Sequence, residues 1–286
     1  MKIKFFSVFI IQSIAWSLSI CIQTFTYGAD KLDIRGKQLF TMCSSCHGQN
    51  GHGNHDLLSP SIAGLPEWYL INQLKKFRSG KRGAHPDDYA GLKMHPMARI
   101  LDADTLVQNK SKGTWKYTGE KEILAISEFI SKLPSKQPKD IIKGGDPVKG
   151  KVIYMSCMGC HGQNLEGNEA LLAPPQVYME DWYMLEQLKK FRDGIRGNEK
   201  LDQYDPTSKI YISAAQAMAM RGIVKVSVST EDKMKNVIAY IRELGAKKAS
   251  TALNTRGKKL GSIQLPIPKN RAPKDEQNST SKPEKK

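Results

Sequence analysis

The sequence predicts an all-α fold of two tandem helical domains, related by internal duplication and followed by a disordered basic C-terminal tail. Three observations predict it. The chain of 286 residues aligns with itself at an offset of 114, which is too long a period for a solenoid and suits a duplicated domain. Apolar residues within each copy recur at helical spacing. Beyond residue 246, Pro, Lys, Ser and Asn dominate and the apolar periodicity ends.

The first segment, 1–29, is typical of a signal peptide for export. Lys2 and Lys4 form a charged start, an apolar run covers 5–22, and Gly28 and Ala29 offer small residues for cleavage. An uncleaved membrane anchor is the alternative, because the apolar run approaches the length that spans a bilayer.

The repeat sets the expected domain boundaries. Cys43 aligns with Cys157, and the block from Gln73 to Arg78 aligns with the block from Gln187 to Arg192. A segment with Pro138 and two adjacent glycines separates the copies. We therefore predict domain 1 at 30–135, a linker at 136–145, domain 2 at 146–246 and the tail at 247–286.

Each copy predicts the same order of elements. A short apolar and charged segment precedes the cysteine pair, a Gly- and Pro-rich loop follows it, and two helices come next. The first of these helices ends at a glycine, Gly80 or Gly194, and Gly245 is expected to terminate the last helix of the chain. The expected helices cover 68–77 and 120–133 in copy one, and 182–191 and about 231–244 in copy two.

The positive charge is concentrated at the C-terminus. The formal net charge is +16, of which the tail, with eleven Lys or Arg against three acids, holds +8. Lys2 and Lys4 hold a further +2, which leaves +6 for the body from 30 to 246. Because the excess belongs largely to a tail, we predict no nucleic-acid partner.

Each copy carries one C-x-x-C-H motif, the attachment signature of a c-type haem. Two thiols add to the two haem vinyl groups, and the histidine after the second thiol becomes the proximal iron ligand. A shared zinc site would leave both histidines unexplained, and a thioredoxin-like dithiol would need a βαβ setting that the sequence lacks. The sequence thus predicts two covalently bound haem c groups, held by Cys43, Cys46 and His47, and by Cys157, Cys160 and His161.

The distal ligand decides between a carrier and an enzyme. His161 is the last histidine of the chain, so methionine is the natural second ligand for haem two. Met218 and Met220 precede the last helix, in what the sequence indicates is a loop, and Met220 is preferred. In copy one Met94 is preferred over Met97, with His95 as the rival ligand.

The sequence resembles the di-haem class I cytochromes c of the c-four type, which are two tandem all-helical domains. The resemblance covers most of 34–244 and rests on CSSCHG, CMGCHG, PSIAGLPEWYLINQLKKFRSGKRG, MHPMARILDAD and MRGIVK. It implies a periplasmic electron carrier, with Met94 and Met220 as distal ligands. It also implies that the carbonyls of Pro60 and Pro174 accept a hydrogen bond from the proximal histidines, which fixes the imidazole orientation.

This resemblance implies protein redox partners: a quinol-oxidising complex or dehydrogenase as donor, and a terminal oxidase or reductase as acceptor. Two alternatives remain open, a cytochrome subunit of a membrane complex and a di-haem peroxidase-type enzyme. The chain also departs from the family pattern in a polar insertion at 105–119 and in its basic tail. The tail, or an uncleaved leader, can bring the protein to a membrane surface.

Overall fold

The computed structural model describes residues 33–101, 106–109, 114–117, 120–198 and 209–261. The predicted signal peptide, 1–29, and the end of the tail, 262–286, lie outside the described residues. The regular structure of the described chain is mainly helical, as predicted. Its helices are α1 (33–47), α2 (Glu67–Arg78), α3 (Tyr89–Ile100), α4 (Glu120–Lys132), α5 (Pro147–Tyr154), α6 (Met158–His161), α7 (Asp181–Asp193), α8 (Lys209–Ser227) and α9 (Glu231–Gly261).

In each domain the first and last helices cross at a glycine. A Cβ on Gly36 of α1 would collide with the Ala125 carbonyl of α4, and one on Gly150 of α5 would collide with the Asn236 carbonyl of α9. Because glycine has no Cβ, the backbones of the two helices can come into contact at these positions. An aromatic pair closes each crossing, Phe40 with Phe129 and Tyr154 with Tyr240, both with ring centroids 5.4 Å apart.

Two hydrophobic cores follow from these crossings. In domain 1 the buried side chains come from α1, α2 and α4, and include Ile123 and Ile126 at 0% and 1% exposure. In domain 2 they come from α5, α7, α8 and α9, and include Met234, Val237 and Ile238. Since the apolar positions of α4 were the expected ones, its observed bounds lie within one residue of the prediction.

The helices α2 and α7 end where the glycines indicated. Gly194 caps α7 with a left-handed φ of 77°, and Gly80 follows the end of α2 with a φ of 74°. A residue with a Cβ would be strained at either position. The chain therefore turns sharply after each of these helices.

The last helix is longer than predicted. It continues through Gly245 to Gly261, whereas the sequence indicated an end at Gly245. Gly245 has another role: a Cβ there would lie 2.9 Å from the carbonyl oxygen of Val177, so the glycine permits close packing of α9 on the loop before α7. By its contacts the segment Ser250–Lys286 separates from the preceding chain.

The polar insertion contains a β-hairpin, which the all-helical prediction did not include. Strands β1 (Leu106–Asn109) and β2 (Thr114–Tyr117) form an antiparallel hairpin in which Leu106 pairs with Tyr117. The segment connects α3 to α4 and leaves the helical core of domain 1 intact. Among the described helices, none has the length and apolar character needed to cross a bilayer.

Candidate functional site

The two C-x-x-C-H motifs lie at corresponding places. In domain 1 the motif forms the end of α1, and in domain 2 it spans the junction of α5 and α6. The four cysteines of these two motifs are free thiols. Burial raises the pKa of Cys43 to about 11, and burial likewise raises the pKa of Cys157. The first thiol of each pair is therefore protonated at neutral pH, and its sulfur is available for addition to a carbon–carbon double bond.

Each motif histidine is oriented by a proline carbonyl thirteen residues later. The Nδ1 atom of His47 lies 2.7 Å from the carbonyl oxygen of Pro60, and Nδ1 of His161 lies 2.9 Å from that of Pro174. A carbonyl can only accept, so Nδ1 carries the proton and Nε2 keeps its lone pair. Burial lowers the pKa of both histidines, against the opposing effect of these hydrogen bonds, and favours the neutral imidazole that binds a metal.

The loop between histidine and proline is held in a strained form. Leu58 and Leu172, at the same place in the two copies, have left-handed φ values of 54° and 51°. Isolated bridges, Asn54 with Ser59 and Asn168 with Ala173, close each loop beside them. Both leucines line the cavity of their own domain. Such strain costs about 1–3 kcal/mol and is typical of functional sites; nothing in the sequence pattern indicated it.

Each domain contains an apolar cavity bounded by its motif and by methionine. The domain 1 cavity is lined by Cys43, Cys46 and His47 together with Met94 and Met97. The domain 2 cavity is lined by the corresponding motif residues together with Met220, whereas Met218 is exposed and does not line it. Each cavity thus brings the predicted proximal and distal ligands together.

The methionines lie on helices rather than in the expected loops. Met94 belongs to α3, which includes Pro96, and Met220 belongs to α8. The interior proline and the sparse apolar residues around Met94 concealed α3 at the level of sequence. A helix fixes the direction of a side chain more firmly than a loop does, so the distal side of each cavity is preorganised.

The other histidines of domain 1 are engaged elsewhere. Nδ1 of His95 lies 2.5 Å from the carbonyl oxygen of Phe77, and this side chain does not line the cavity. Nε2 of His52 lies 3.0 Å from the carbonyl oxygen of Pro134. His55, expected to be solvated, packs edge-on against Trp182 of domain 2 with ring centroids 5.1 Å apart. In the described part of the chain no cluster of three or more His, Cys, Asp or Glu side chains forms a metal site, so the shared zinc site is not assembled there.

A pseudo-symmetric ring of six side chains lies between the two cavities. Arg82 donates to Gln73 at 2.7 Å, to Tyr183 at 2.7 Å and to Gln187 at 3.1 Å. Arg196 donates to Gln187 at 2.8 Å and to Gln73 at 3.1 Å, and also bonds Tyr69. We call this the arginine ring: Tyr69, Gln73, Arg82, Tyr183, Gln187 and Arg196. Arg82 is only 9% exposed because the domains pack over it.

Two further contacts join the domains. Lys190 of α7 reaches Asp88 at 2.6 Å, and Asp88 caps α3 by accepting from Gly91 N at 2.9 Å. The carboxylate of Glu180 accepts from the backbone N–H of Ser61 at 2.7 Å. Domain 2 therefore holds both the loop after the domain 1 motif and the helix that carries Met94. No local pattern could reveal these partners, since they lie more than 100 residues apart.

Comparison with known proteins agrees with this geometry. The cytochrome c family model matches residues 34–134 and 147–245, one match for each domain. The chain belongs to the cytochrome c family. Domains of this family bind covalent haem c, and two domains account for two haems in this cytochrome.

Similar proteins include cytochromes c4 and an electron acceptor of a dehydrogenase. Cytochrome c4 of Azotobacter vinelandii is 26% identical over 67% of this chain and 84% of its own length. The thiosulfate dehydrogenase electron acceptor of Thiomonas intermedia is 28% identical over 56% of this chain and 66% of its own length. The crystal structure of reduced cytochrome c4 from Pseudomonas stutzeri aligns at 22% identity with a TM-score of 0.49, over 72% of this chain and 95% of that one.

The residues present fit haem c in both cavities. Each cavity has an apolar lining, two free thiols at one edge and a neutral imidazole whose Nδ1 is already bonded. The thioether bonds require the thiols, and the iron requires the remaining nitrogen. The arginine ring places positive charge beside both cavities, where it suits the carboxylates that haem carries.

Proposed function

We propose that this cytochrome is an exported di-haem electron carrier in which each iron has one histidine and one methionine ligand. The observation that carries the proposal is the duplicated cavity wall, with a motif histidine and a helical methionine lining each cavity. A histidine and a methionine on each iron would leave no position open for a substrate. The Thiomonas relative is an electron acceptor of a dehydrogenase, which supports a carrier as well.

In this proposal Cys43, Cys46, Cys157 and Cys160 form the thioether bonds, and His47 and His161 are the proximal ligands. Pro60 and Pro174 hold the imidazoles by their Nδ1 protons, which keeps the rings in place when the iron charge changes. Small rearrangement between the two oxidation states is what a fast carrier needs. When bound, haem supplies a one-electron couple, so a donor protein loses one electron per haem and an acceptor gains it.

Met94 and Met220 are the proposed distal ligands. Met220 is favoured over Met218 because Met220 lines the domain 2 cavity, whereas Met218 is exposed and does not. Met94 is favoured over His95 because the histidine ring bonds the Phe77 carbonyl. Met97 also lines the domain 1 cavity, and the resemblance to the c-four type decides for Met94.

The proposed location is the periplasm, after export by the segment 1–29. The proposed donors are a quinol-oxidising complex or a dehydrogenase, and the proposed acceptors are a terminal oxidase or reductase. The Thiomonas relative makes a dehydrogenase of reduced sulfur compounds a specific candidate for the donor. The basic tail gives the protein an attractive charge toward acidic partners and anionic membrane surfaces.

Carbon monoxide binding tests the proposal against the peroxidase alternative. The mature protein should keep two haems through acid–acetone extraction, and the reduced form should bind carbon monoxide slowly at both irons. Cys43→Ala and Cys157→Ala should each lower covalent haem. Rapid stoichiometric binding at one iron, with turnover of hydrogen peroxide, would instead establish an open site and an enzyme.

A further inference from the structure

The arginine ring belongs to both cavities at once. Its two tyrosines and two glutamines line the domain 1 cavity and the domain 2 cavity alike. Arg82 lines the first cavity and Arg196 the second, and each also donates across the interface to the glutamine of the other domain. A charge on either arginine is therefore felt in both sites.

The ring carries two positive charges and no negative one. Every acceptor in it is a neutral amide or phenol oxygen. Within the described residues no carboxylate pairs with Arg82 or Arg196, and Asp88, whose charge acts on Arg82, is bound to Lys190. Burial and the adjacent charge of Arg82 lower the pKa of Arg196, whereas at Arg82 burial is outweighed by the effects of Tyr183 and Tyr69, which raise the pKa. A buried positive charge without a counter-charge is costly, so an anion beside the ring would stabilise it.

We propose that the arginine ring is a counter-charge shared by the carboxylates of both haems, so that each guanidinium raises the reduction potential of both irons. The inference rests on the proposed function, because haem brings the carboxylates. A positive charge disfavours the ferric state, which has one more positive charge than the ferrous state. In an interior of low dielectric this effect extends across the interface.

The first test removes one charge at a time. Arg82→Gln and Arg196→Gln should each lower both reduction potentials, measured by spectroelectrochemical titration of the full two-haem protein. The matched control is Arg192→Gln, which removes the same charge from a partly exposed side chain paired with Asp193 outside the ring. Solvent screens that position, so the control should leave both potentials near those of the wild type.

Two further variants separate charge from packing. Gln187→Glu is nearly isosteric, puts the missing carboxylate into the ring and should fold; it too should lower both potentials. Arg82→Lys keeps the charge but loses the forked hydrogen bonds, so it should lower thermal stability while holding both potentials nearer the wild type.

The outcomes are distinct. Absence of covalent haem in the wild type would contradict the proposed function itself. With both haems present, the shared counter-charge is overturned if Arg82→Gln shifts only the potential of haem one, or if Gln187→Glu shifts neither. It is also overturned if Arg192→Gln shifts both potentials as much as Arg82→Gln does. Parallel shifts in the ring variants alone would establish it.

Discussion

At the scale of residues, each site consists of groups that fix one another's protonation and orientation. His47 and His161 are buried, and their pKa values lie below the ordinary one because burial disfavours the imidazolium. The proline carbonyls accept a hydrogen bond from Nδ1 and so fix the tautomer that carries its proton there. Leu58 and Leu172 hold the intervening loop in a strained form that a cavity-lining role explains. The consequence is an imidazole nitrogen presented with little freedom to move.

Replacing the domain 2 methionine tests the distal ligand directly. Met220→Ala should abolish the near-infrared methionine-to-iron band of haem two, lower its potential and admit carbon monoxide rapidly, because the sixth position opens. Met218→Ala is the matched control and should change none of these, since Met218 is exposed and outside the cavity. The reverse pattern would move the ligand to Met218.

Much of this chemistry could be predicted from short stretches of sequence, because the residues involved lie close together in the chain. The thiols and histidine of each motif are contiguous, so C-x-x-C-H identifies them without a fold. Met94 and Met220 were preferred, but their helices were not foreseen, because Pro96 interrupts α3 and α8 lacks a clear apolar period. The burial of Arg82 could not be predicted, since burial by a second domain leaves no local signature.

At the scale of elements, glycines decide how closely helices pack. Gly36 and Gly150 permit the crossings in the two domains, and Gly245 permits α9 to approach the Val177 carbonyl. The sequence predicted that a glycine ends a helix at two positions. The prediction is confirmed at Gly194 and wrong at Gly245. The two cases differ in backbone conformation: Gly194 has a left-handed φ, whereas Gly245 continues the helix.

A pair of glycine substitutions distinguishes packing from propensity. Gly222→Ala, in α8, meets nothing within 4 Å and should raise the free energy of unfolding. The expected gain is about 1 kcal/mol, the difference in helix propensity. Gly245→Ala gains the same propensity but places a Cβ 2.9 Å from a backbone oxygen, so it should be destabilising. Thermal unfolding of both variants provides the measurement, and equal stabilisation would contradict the close contact.

The link from α7 to α3 predicts a pH dependence. Burial raises the pKa of Asp88, but the hydrogen bond and charge of Lys190 outweigh it and hold the pKa below its ordinary value. The ionised carboxylate thus stabilises the fold above the unfolded pKa of about 3.9, and this contribution is lost as the pH falls through the lower folded pKa. Asp88→Asn keeps the helix cap and should cost about 1–3 kcal/mol at neutral pH.

Denaturant unfolding as a function of pH checks this. The difference between the wild type and Asp88→Asn should be constant near neutrality and shrink in acid. Asp146→Asn is the control, because Asp146 caps α5 on an exposed surface and contacts no residue of domain 1 in the described structure. A difference that grows in acid would contradict the ion pair.

At the scale of the whole molecule, the two domains form one electrostatic and mechanical unit. The arginine ring, the Lys190–Asp88 pair and the Glu180–Ser61 hydrogen bond all join them. Duplication was evident from the 114-residue offset, but the interface was not. Gln73, Gln187 and Lys190 lie in the repeated block after each motif, so the same sequence feature that reveals two copies also supplies part of the surface on which they meet.

The C-terminal segment should affect rates and not the fold. A chain ending at Ala249 loses nine Lys or Arg and three acids, a net +6. It should keep both haems and its thermal stability, since Ser250–Lys286 separates from the rest by its contacts. Oxidation of the reduced protein by ferricyanide, an anion, should be slower than for the full chain at low salt and equal to it at high salt. Loss of haem on truncation would mean that the segment supports a domain.

The central claim is that one chain carries two one-electron centres, each with a histidine and a methionine ligand. Coulometric titration of the full-length protein, followed in the near-infrared region, tests it most directly. We predict the uptake of two electrons per chain, with bleaching of a methionine-to-iron band at each step. Uptake of one electron or none, or a band associated with only one of the two haems, would contradict the account.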